Sequence, residues 1–166
     1  MYQIKSKTVL NPYVVRMDIE APLVARKAKP GQFIILRTEA EGERIPLTIA
    51  DSDKEKGTVT IIFQVVGATT EKLQHKNVGD CLADFVGPLG KPTHTEGLKK
   101  VAVIGGGVGC AIAYPVTKAL FEQGTEVHAI VGFRNKDLVI LEDDFRSHST
   151  RFVAMSDDGT WGEKGL

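Results

Sequence analysis

The run from Val101 to Gly124 constrains this chain more than any other stretch. It reads Val-Ala-Val-Ile, then Gly105-Gly106-Gly107-Val108-Gly109, then Cys-Ala-Ile-Ala-Tyr-Pro-Val-Thr-Lys-Ala-Leu-Phe-Glu-Gln-Gly. A short apolar, β-branched run closed by glycines predicts a strand buried on both faces. The glycines let the backbone turn sharply and meet a ligand without a Cβ in the way. Val116, Ala119 and Leu120 then recur at helical spacing. Strand, glycine turn and helix together make a phosphate site, because unpaired N–H groups and the positive end of the helix dipole point at the turn. The competing reading is a tight strand-to-helix turn with no ligand.

The dinucleotide fingerprint is met only in part. Gly105, Gly107 and Cys110 fall on the three positions of G-x-G-x-x-G, so the third small residue is missing. The acidic residue expected about 20 residues on is absent as well. The second strand, Glu126 to Phe133, ends instead in Arg134-Asn135-Lys136. Pro115 inside a helix that begins at Val108 would cost ~3 kcal/mol. A start near Ala111 or Ile112 puts it in the first turn, where the missing N–H costs nothing. The sequence thus predicts a longer glycine turn than the standard one and a late helix start.

Upstream, residues 1–95 read as all-β. Tyr2 to Leu10, Val14 to Glu20, Gln32 to Thr38, Thr58 to Val66 and Asp80 to Val86 are rich in Val, Ile, Phe and Thr. Asn11-Pro12, Lys29-Pro30-Gly31, Glu41-Gly42-Glu43, Lys56-Gly57 and Gly79-Asp80 punctuate them. Short strands at that spacing predict a small antiparallel barrel, six-stranded and of Greek-key type. A short helix is expected between Thr70 and Lys76, with Thr69 or Thr70 as its cap. Gly87-Pro88-Leu89-Gly90 reads as a turn.

After Pro92 the pattern changes. A polar link leads into strand, helix, strand, helix, strand: Val101 to Ile104, Ala111 to Gln123, Glu126 to Phe133, roughly Ile140 to Ser147, and Arg151 to Met155. This alternation predicts an incomplete α/β, Rossmann-like parallel sheet over 96–166. Three strands make a small sheet with an open edge on the third.

Bulk properties exclude some functions. Lys plus Arg total 21 and Asp plus Glu total 21, which argues against nucleic acid or an anionic membrane as the partner. No run approaches the ~18 apolar residues of a span, and the N-terminus has no apolar signal core, so a cytoplasmic protein without membrane insertion is expected. Cys81 and Cys110 lack partners at metal-ligand spacing, and the four histidines are scattered. No metal site is predicted.

Three local motifs combine with the glycine turn. They are Arg44-Ile45-Pro46-Leu47-Thr48-Ile49-Ala50-Asp51 after one strand, Phe63-Gln64-Val65-Val66-Gly67-Ala68-Thr69-Thr70 after another, and Gly87-Pro88-Leu89-Gly90 at the barrel's close. In this order they resemble the ferredoxin–NADP reductase superfamily, in which a flavin-binding barrel precedes a pyridine-nucleotide domain. Within it the chain is similar to the small flavin subunits of NADH-dependent ferredoxin:NADP oxidoreductases and of sulfide dehydrogenases. It is also similar to the electron-transfer subunits of dihydroorotate dehydrogenases.

The resemblance implies roles. Thr48 falls on the hydroxyl position of Arg-x-Tyr-Ser/Thr and would bond near flavin N5. Leu47 takes the aromatic position and would pack on the isoalloxazine, with Pro46 beside it. Ile45 falls on the arginine position, and Arg44, one residue early, would reach the pyrophosphate. Phe63, Gln64 and Val65 would offer backbone groups to FAD, and Thr69 and Thr70 would hold its pyrophosphate. Gly105, Gly106, Gly107, Val108 and Gly109 would take the pyrophosphate of NAD(P)H. Asp157, Asp158 and Gly159, with Gly162, would line the adenosine side of the nicotinamide pocket.

The activity implied is flavin-dependent electron transfer between NAD(P)H and an iron–sulfur carrier such as ferredoxin, in company with a large oxidoreductase subunit. NADH and NADPH are left undistinguished. Full-length family subunits carry a [2Fe–2S] cluster on C-terminal cysteines, and this chain has no such segment. The expectation is therefore a fragment that binds FAD but NAD(P)H weakly, with dimerisation through the third strand's edge or a disordered tail from about Asp157. A non-catalytic flavin- or nucleotide-binding module, and a barrel interaction domain with a structural glycine turn, are the competing readings.

Overall fold

A computed structural model describes residues 2–165. The chain divides into two compact units, Met1–Thr93 and His94–Leu166.

The first unit runs β1 (Tyr2–Asn11), β2 (Val14–Glu20), α1 (Pro22–Lys27), β3 (Phe33–Arg37), β4 (Arg44–Asp53), β5 (Thr58–Gln64), α2 (Ala68–His75), β6 (Cys81–Leu82) and β7 (Asp84–Leu89). All pairings are antiparallel, in the order β6-β1-β2-β5-β4-β3-β7. The β2-β5-β4-β3 portion is a Greek key. Seven strands are present where six were expected: Arg44–Asp53 joins the five segments read from the sequence, and the predicted strand Asp80 to Val86 breaks at Ala83, whose N–H bonds the Arg37 carbonyl at 2.9 Å. The part before the corner pairs with β1 and the part after it with β3. One stretch thereby joins the two ends of the sheet and nearly closes the barrel. Alternate residues fill it: Val15, Met17 and Ile19 from β2, Ile34 and Leu36 from β3, Ile61 and Phe63 from β5, with Leu73 of α2.

Three local expectations change. Arg44–Asp53 is itself a ten-residue strand rather than a segment after one, its alternation of Ile45, Leu47 and Ile49 obscured by Pro46 and by Asp51-Ser52-Asp53. Gly87, Pro88 and Leu89 belong to β7 rather than to a turn, because Leu89 pairs with Phe33. The turn comes at Gly90, with φ +80°. Pro22–Lys27 forms a helix that starts on its proline and buries Val24 and Ala25.

The second unit runs β8 (Lys100–Gly106), α3 (Cys110–Glu122), β9 (Glu126–Phe133), α4 (Glu142–Ser147), β10 (Arg151–Ser156) and β11 (Glu163–Lys164). The strands are parallel, in the order β11-β10-β9-β8. A fourth strand thus joins the expected three. Gly162, with φ +61°, turns the chain back so closely that a Cβ there would lie 2.2 Å from the Ala154 carbonyl oxygen. β11 covers the Met155–Ser156 end of β10, so residues 157–165 are turns and strand rather than a disordered tail. Among the described residues, β8 is left without a partner along its whole outer edge, as is the two-residue β11 at the other end of the sheet.

Pro115 is also placed differently. The glycine turn itself takes a 3-10 course over Gly107–Gly109 and leads straight into α3 at Cys110. The regular helix therefore starts earlier than expected, and Pro115 sits buried in its second turn, where it denies the Ala111 carbonyl its helical donor.

Candidate functional site

In the first unit the site grows from an interrupted ladder. β4 pairs with β5 from Asp53/Thr58 to Ile49/Ile61 and no further. Beyond that point Arg44 to Thr48 pair with β3 alone. Ile62 to Gln64 pair with β2 alone, and Val65 extends that pairing by donating its N–H to the Tyr13 carbonyl at 2.8 Å. Two neighbouring strand edges are thus left without a strand between them, among the described residues. Such edges offer backbone N–H and C=O groups to whatever lies along them. Pro46 suits this position, because a strand paired on both sides would lose a ladder bond to it.

The opening brings together Arg44, Pro46, Leu47 and Thr48 on one side with Phe63, Gln64 and Val65 on the other. Alternation sorts the side chains. Leu47 packs against the barrel core, while Thr48, half-buried and paired with Phe33, stands on the opposite face of β4 with exposed Pro46. Phe63 is buried in the core, so only its backbone is available; Gln64 is exposed. At the far end Asp84 Oδ2 lies 2.8 Å from Arg37 Nε and 3.2 Å from an Arg44 guanidinium nitrogen. Two guanidiniums on one carboxylate leave a net positive charge there. Arg37 was not anticipated; its only signal was a cation closing the apolar run Phe33-Ile-Ile-Leu.

Three residues past Val65 begins α2. Its cap is Gly67 rather than Thr69 or Thr70. Thr70 reaches back instead: its hydroxyl accepts the N–H groups of Val66 and Gly67, each at 3.0 Å, and donates to the Gly67 carbonyl. The Glu71 N–H is the first to bond within the helix, to Gly67 at 2.9 Å. The amides of Ala68, Thr69 and Thr70 precede it and have no helical acceptor. The Thr69 hydroxyl donates to the Glu43 carboxylate at 3.2 Å, so an acidic side chain already stands beside these amides.

In the second unit the nominated residues gather at the carboxyl ends of the parallel strands, where open α/β sheets bind ligands. Gly105 and Gly106 end β8 and Gly107 to Gly109 follow it, Arg134-Asn135-Lys136 follow β9, and Asp157-Asp158-Gly159 follow β10. Gly105 serves packing: a Cβ there would lie 3.1 Å from Cys110 Sγ and 3.4 Å from Ala113 Cβ. That room accounts for a cysteine at the third fingerprint position. Burial pushes the Cys110 thiol up to about 12, so it stays neutral. Gly106, Gly107 and Gly109 face open space, and Gly107 has φ +53°. Val108 is on the surface between them.

Asp158 accepts from both the hydroxyl (2.7 Å) and the N–H (2.9 Å) of Thr160. The hydroxyl bond first, then the amide, hold its carboxyl below the usual range. The Thr160 hydroxyl in turn accepts the Lys136 N–H at 2.9 Å. The loop is therefore tied to the end of β9 rather than loose.

No protein-family model matches the chain, but individual proteins do. A solved structure described as an NADH-dependent reduced ferredoxin–NADP oxidoreductase superimposes with TM-score 0.93 at 40% identity, over 100% of this chain and 60% of that one. The chain carries the ferredoxin–NADP reductase-like fold. A ferredoxin reductase of carbazole 1,9a-dioxygenase, 20% identical, shares the fold with TM-score 0.83, over 99% of this chain and 53% of that one.

Among curated proteins, an uncharacterized protein in the adh 3′ region of Clostridium beijerinckii is 51% identical over 99% of this chain and 58% of its own length. A dihydroorotate dehydrogenase B (NAD(+)) electron transfer subunit homolog from Thermotoga maritima is 44% identical over 89% of this chain and 52% of its own length. The corresponding subunit from Streptococcus mutans is 34% identical over 96% and 63%. The chain thus spans between about half and two thirds of the relatives it matches.

Proposed function

We propose that this chain is the flavin- and nicotinamide-nucleotide-binding part of an electron-transfer oxidoreductase subunit, with FAD held by the first unit and NAD(P)H by the glycine turn of the second. The observation that carries the reading is the β4–β5 opening, whose free edges lead within three residues to the first-turn amides of α2. The donor set suits FAD. Strand edges match a flat polar heterocycle, and the three amides match a pyrophosphate that takes the place of the Glu43 carboxylate beside them. When bound, a flavin supplies hydride exchange at N5 with nicotinamide C4 and onward release of the two electrons singly.

The chain's own residues bind and orient. Thr48 offers its hydroxyl to the flavin edge near N5, Pro46 stands on the same face of the strand, and Leu47, packed on the core, contributes backbone only. Phe63, Gln64 and Val65 contribute backbone groups. Thr70 fixes the Val66–Gly67 backbone, so the amides of Ala68, Thr69 and Thr70 are presented together. Arg44 and Arg37 supply the positive charge. In the second unit Gly106, Gly107, Val108 and Gly109 expose backbone to the nucleotide, with Asp157, Asp158 and Gly159 on the adenosine side. No side chain is assigned as an acid or base.

A [2Fe–2S] cluster does not fit the residues present. Cys81 and Cys110 lie in different units, Cys110 is a buried neutral thiol, and no group of three potential metal ligands occurs among the described residues. A ferredoxin-like carrier and a large subunit are the proposed partners, in line with the solved relative at 40% identity. The Thermotoga relative at 44% identity favours a second reading, electron transfer to a dihydroorotate dehydrogenase-type partner.

The test is purification of the protein with flavin, acid release and chromatography, then reduction kinetics on Thr48→Val. FAD should be recovered, and the variant should lose about fivefold in flavin reduction rate, as one hydrogen bond of ~1 kcal/mol implies, with less change in flavin affinity. Recovery of FMN alone, or lost flavin with an unchanged rate, overturns the assignment. Oxidation of the reduced protein by ferredoxin, against oxidation by a dihydroorotate dehydrogenase catalytic subunit, separates the two readings.

A further inference from the structure

We propose that Tyr13 is the platform on which the adenine of FAD stacks, at the β2–β5 end of the first unit. The proposal rests on the flavin reading above and deepens it. Tyr13 is the one exposed aromatic side chain of the first unit, among the described residues, at 56% exposure; Tyr2 and Phe33 are half-buried, and Phe63 and Phe85 are buried. Exposure alone means little for a surface aromatic. Its backbone is the second observation. The Tyr13 N–H donates to Asn11 Oδ1 at 2.8 Å, and its carbonyl accepts the Val65 N–H at 2.8 Å. Both backbone groups are held, so the ring projects from a fixed base.

Its place along the chain supplies the third. Val65 closes the strand edge that borders the opening. From Val65 to Ala68, the first amide of α2, is three residues, a span of at most about 10 Å. Val66, between them, is 76% exposed and is fixed through its N–H to the Thr70 hydroxyl at 3.0 Å. A pyrophosphate on the α2 amides therefore lies close along the chain to Tyr13, through the Val65 bond, and close to the start of β4, through the Thr69–Glu43 bond. A flavin along β4 leaves the adenosine half to the Tyr13 side, where an aromatic face and an apolar neighbour await a purine. Tyrosine suits this work, having few rotatable bonds to fix and an amphipathic ring. Base-on-ring stacking is insensitive to base identity, so the residue selects a dinucleotide over a mononucleotide rather than adenine over another base.

The test compares FAD and FMN binding to the full chain by fluorescence titration, for the wild type, Tyr13→Ala and Tyr13→Trp, with folding followed by circular dichroism. Tyr13→Ala should weaken FAD binding about tenfold and leave FMN binding unchanged; Tyr13→Trp should keep FAD binding. A second measurement needs no variant: NOEs between the adenine H2 or H8 proton and the Tyr13 ring in the wild-type FAD complex. Unchanged FAD affinity in Tyr13→Ala, equal loss of FAD and FMN, or absent NOEs in a saturated complex would overturn the platform while leaving the flavin reading intact. A wild type that binds neither FAD nor FMN overturns the flavin reading and the platform with it.

Discussion

The barrel joins its two sheet ends through one corner at Ala83, whereas the α/β sheet stays open at both edges and keeps one face uncovered among the described residues. In the barrel, inward residues from every long strand meet in a single cluster. In the second unit Val127, Ala129, Val131 and Phe133 are buried on one face of β9, the face on which α3 and α4 lie, with Tyr114 against Phe145 at 5.6 Å. The other face carries Ile104, Ile130 and Val153 side by side across three strands, and Ile104 is 74% exposed. An antiparallel sheet needs one apolar face covered; a parallel sheet is ordinarily covered on both. The two units thus place their candidate sites alike, at an opening among strand ends, one in a nearly closed sheet and the other in an open one.

The sharpest way to break this contrast is a pair of truncations. Phe63→Ala removes a fully buried ring and should cost ~3–5 kcal/mol, whereas Ile104→Ala should stay within ~0.5 kcal/mol. Urea unfolding of both decides it, and a large cost at Ile104 would mean that its face is covered in solution. Next in size is Gly162→Ala, which puts a Cβ against the Ala154 carbonyl at a left-handed φ. The expected cost is ~1–3 kcal/mol, confined to the second unit. Trp161, the chain's one tryptophan, packs on Phe133 at 5.6 Å and Phe152 at 6.2 Å and reports it by fluorescence. Unaltered emission and thermal midpoint would show that the β11 turn is dispensable.

In the barrel, Thr70→Val strands the N–H groups of Val66 and Gly67 and should cost about 1 kcal/mol. Hydrogen exchange should quicken at those two amides, while Thr69→Val, losing one exposed contact to Glu43, should leave them protected. The smallest effect at neutral pH is that of Cys110. Its thiol is raised from 9.0 to about 12 by burial, so the folded form favours the neutral thiol. That contribution is complete below pH 9 and is lost as pH climbs from 9 towards 12, because the unfolded thiol ionises first. Cys110→Ala should flatten the alkaline limb of the stability profile; an unchanged limb would show that another group governs it.

Strands β2 and β9 were legible to the residue because apolar runs there are bounded by clear turns. β4 was not, since Pro46 and the acidic end disguise an alternation that tertiary packing still obeys. β11 was invisible: Glu163 and Lys164 are exposed, and their pairing follows from the backbone of Gly162. For the site, the segments 44–48 and 63–65 were readable as motifs. What unites them, a ladder that stops at Ile49/Ile61, is a non-local pairing that no local pattern encodes. The cap of α2 failed for a related reason: a threonine can act from within the first turn as well as before it. Arg37 showed only as a cation closing an apolar run, and Tyr13 gave no signal, because their contacts are to a carboxylate on β7 and to an amide following β5.

The corner at Ala83 also sets an order of events. Tyr2 must wait for Leu82, its ladder partner, before the outer edge of β1 is paired. At translation rates of ~5–20 residues per second, those 80 residues take roughly 4–16 s. Until Thr58–Gln64 pairs with β2 the β1–β2 hairpin is unguarded on both sides, and afterwards on the β1 side alone, and barrel closure must bridge nearly the whole unit in sequence. The period of greatest risk for this chain therefore falls during synthesis, and it ends with the two-residue strand Cys81–Leu82.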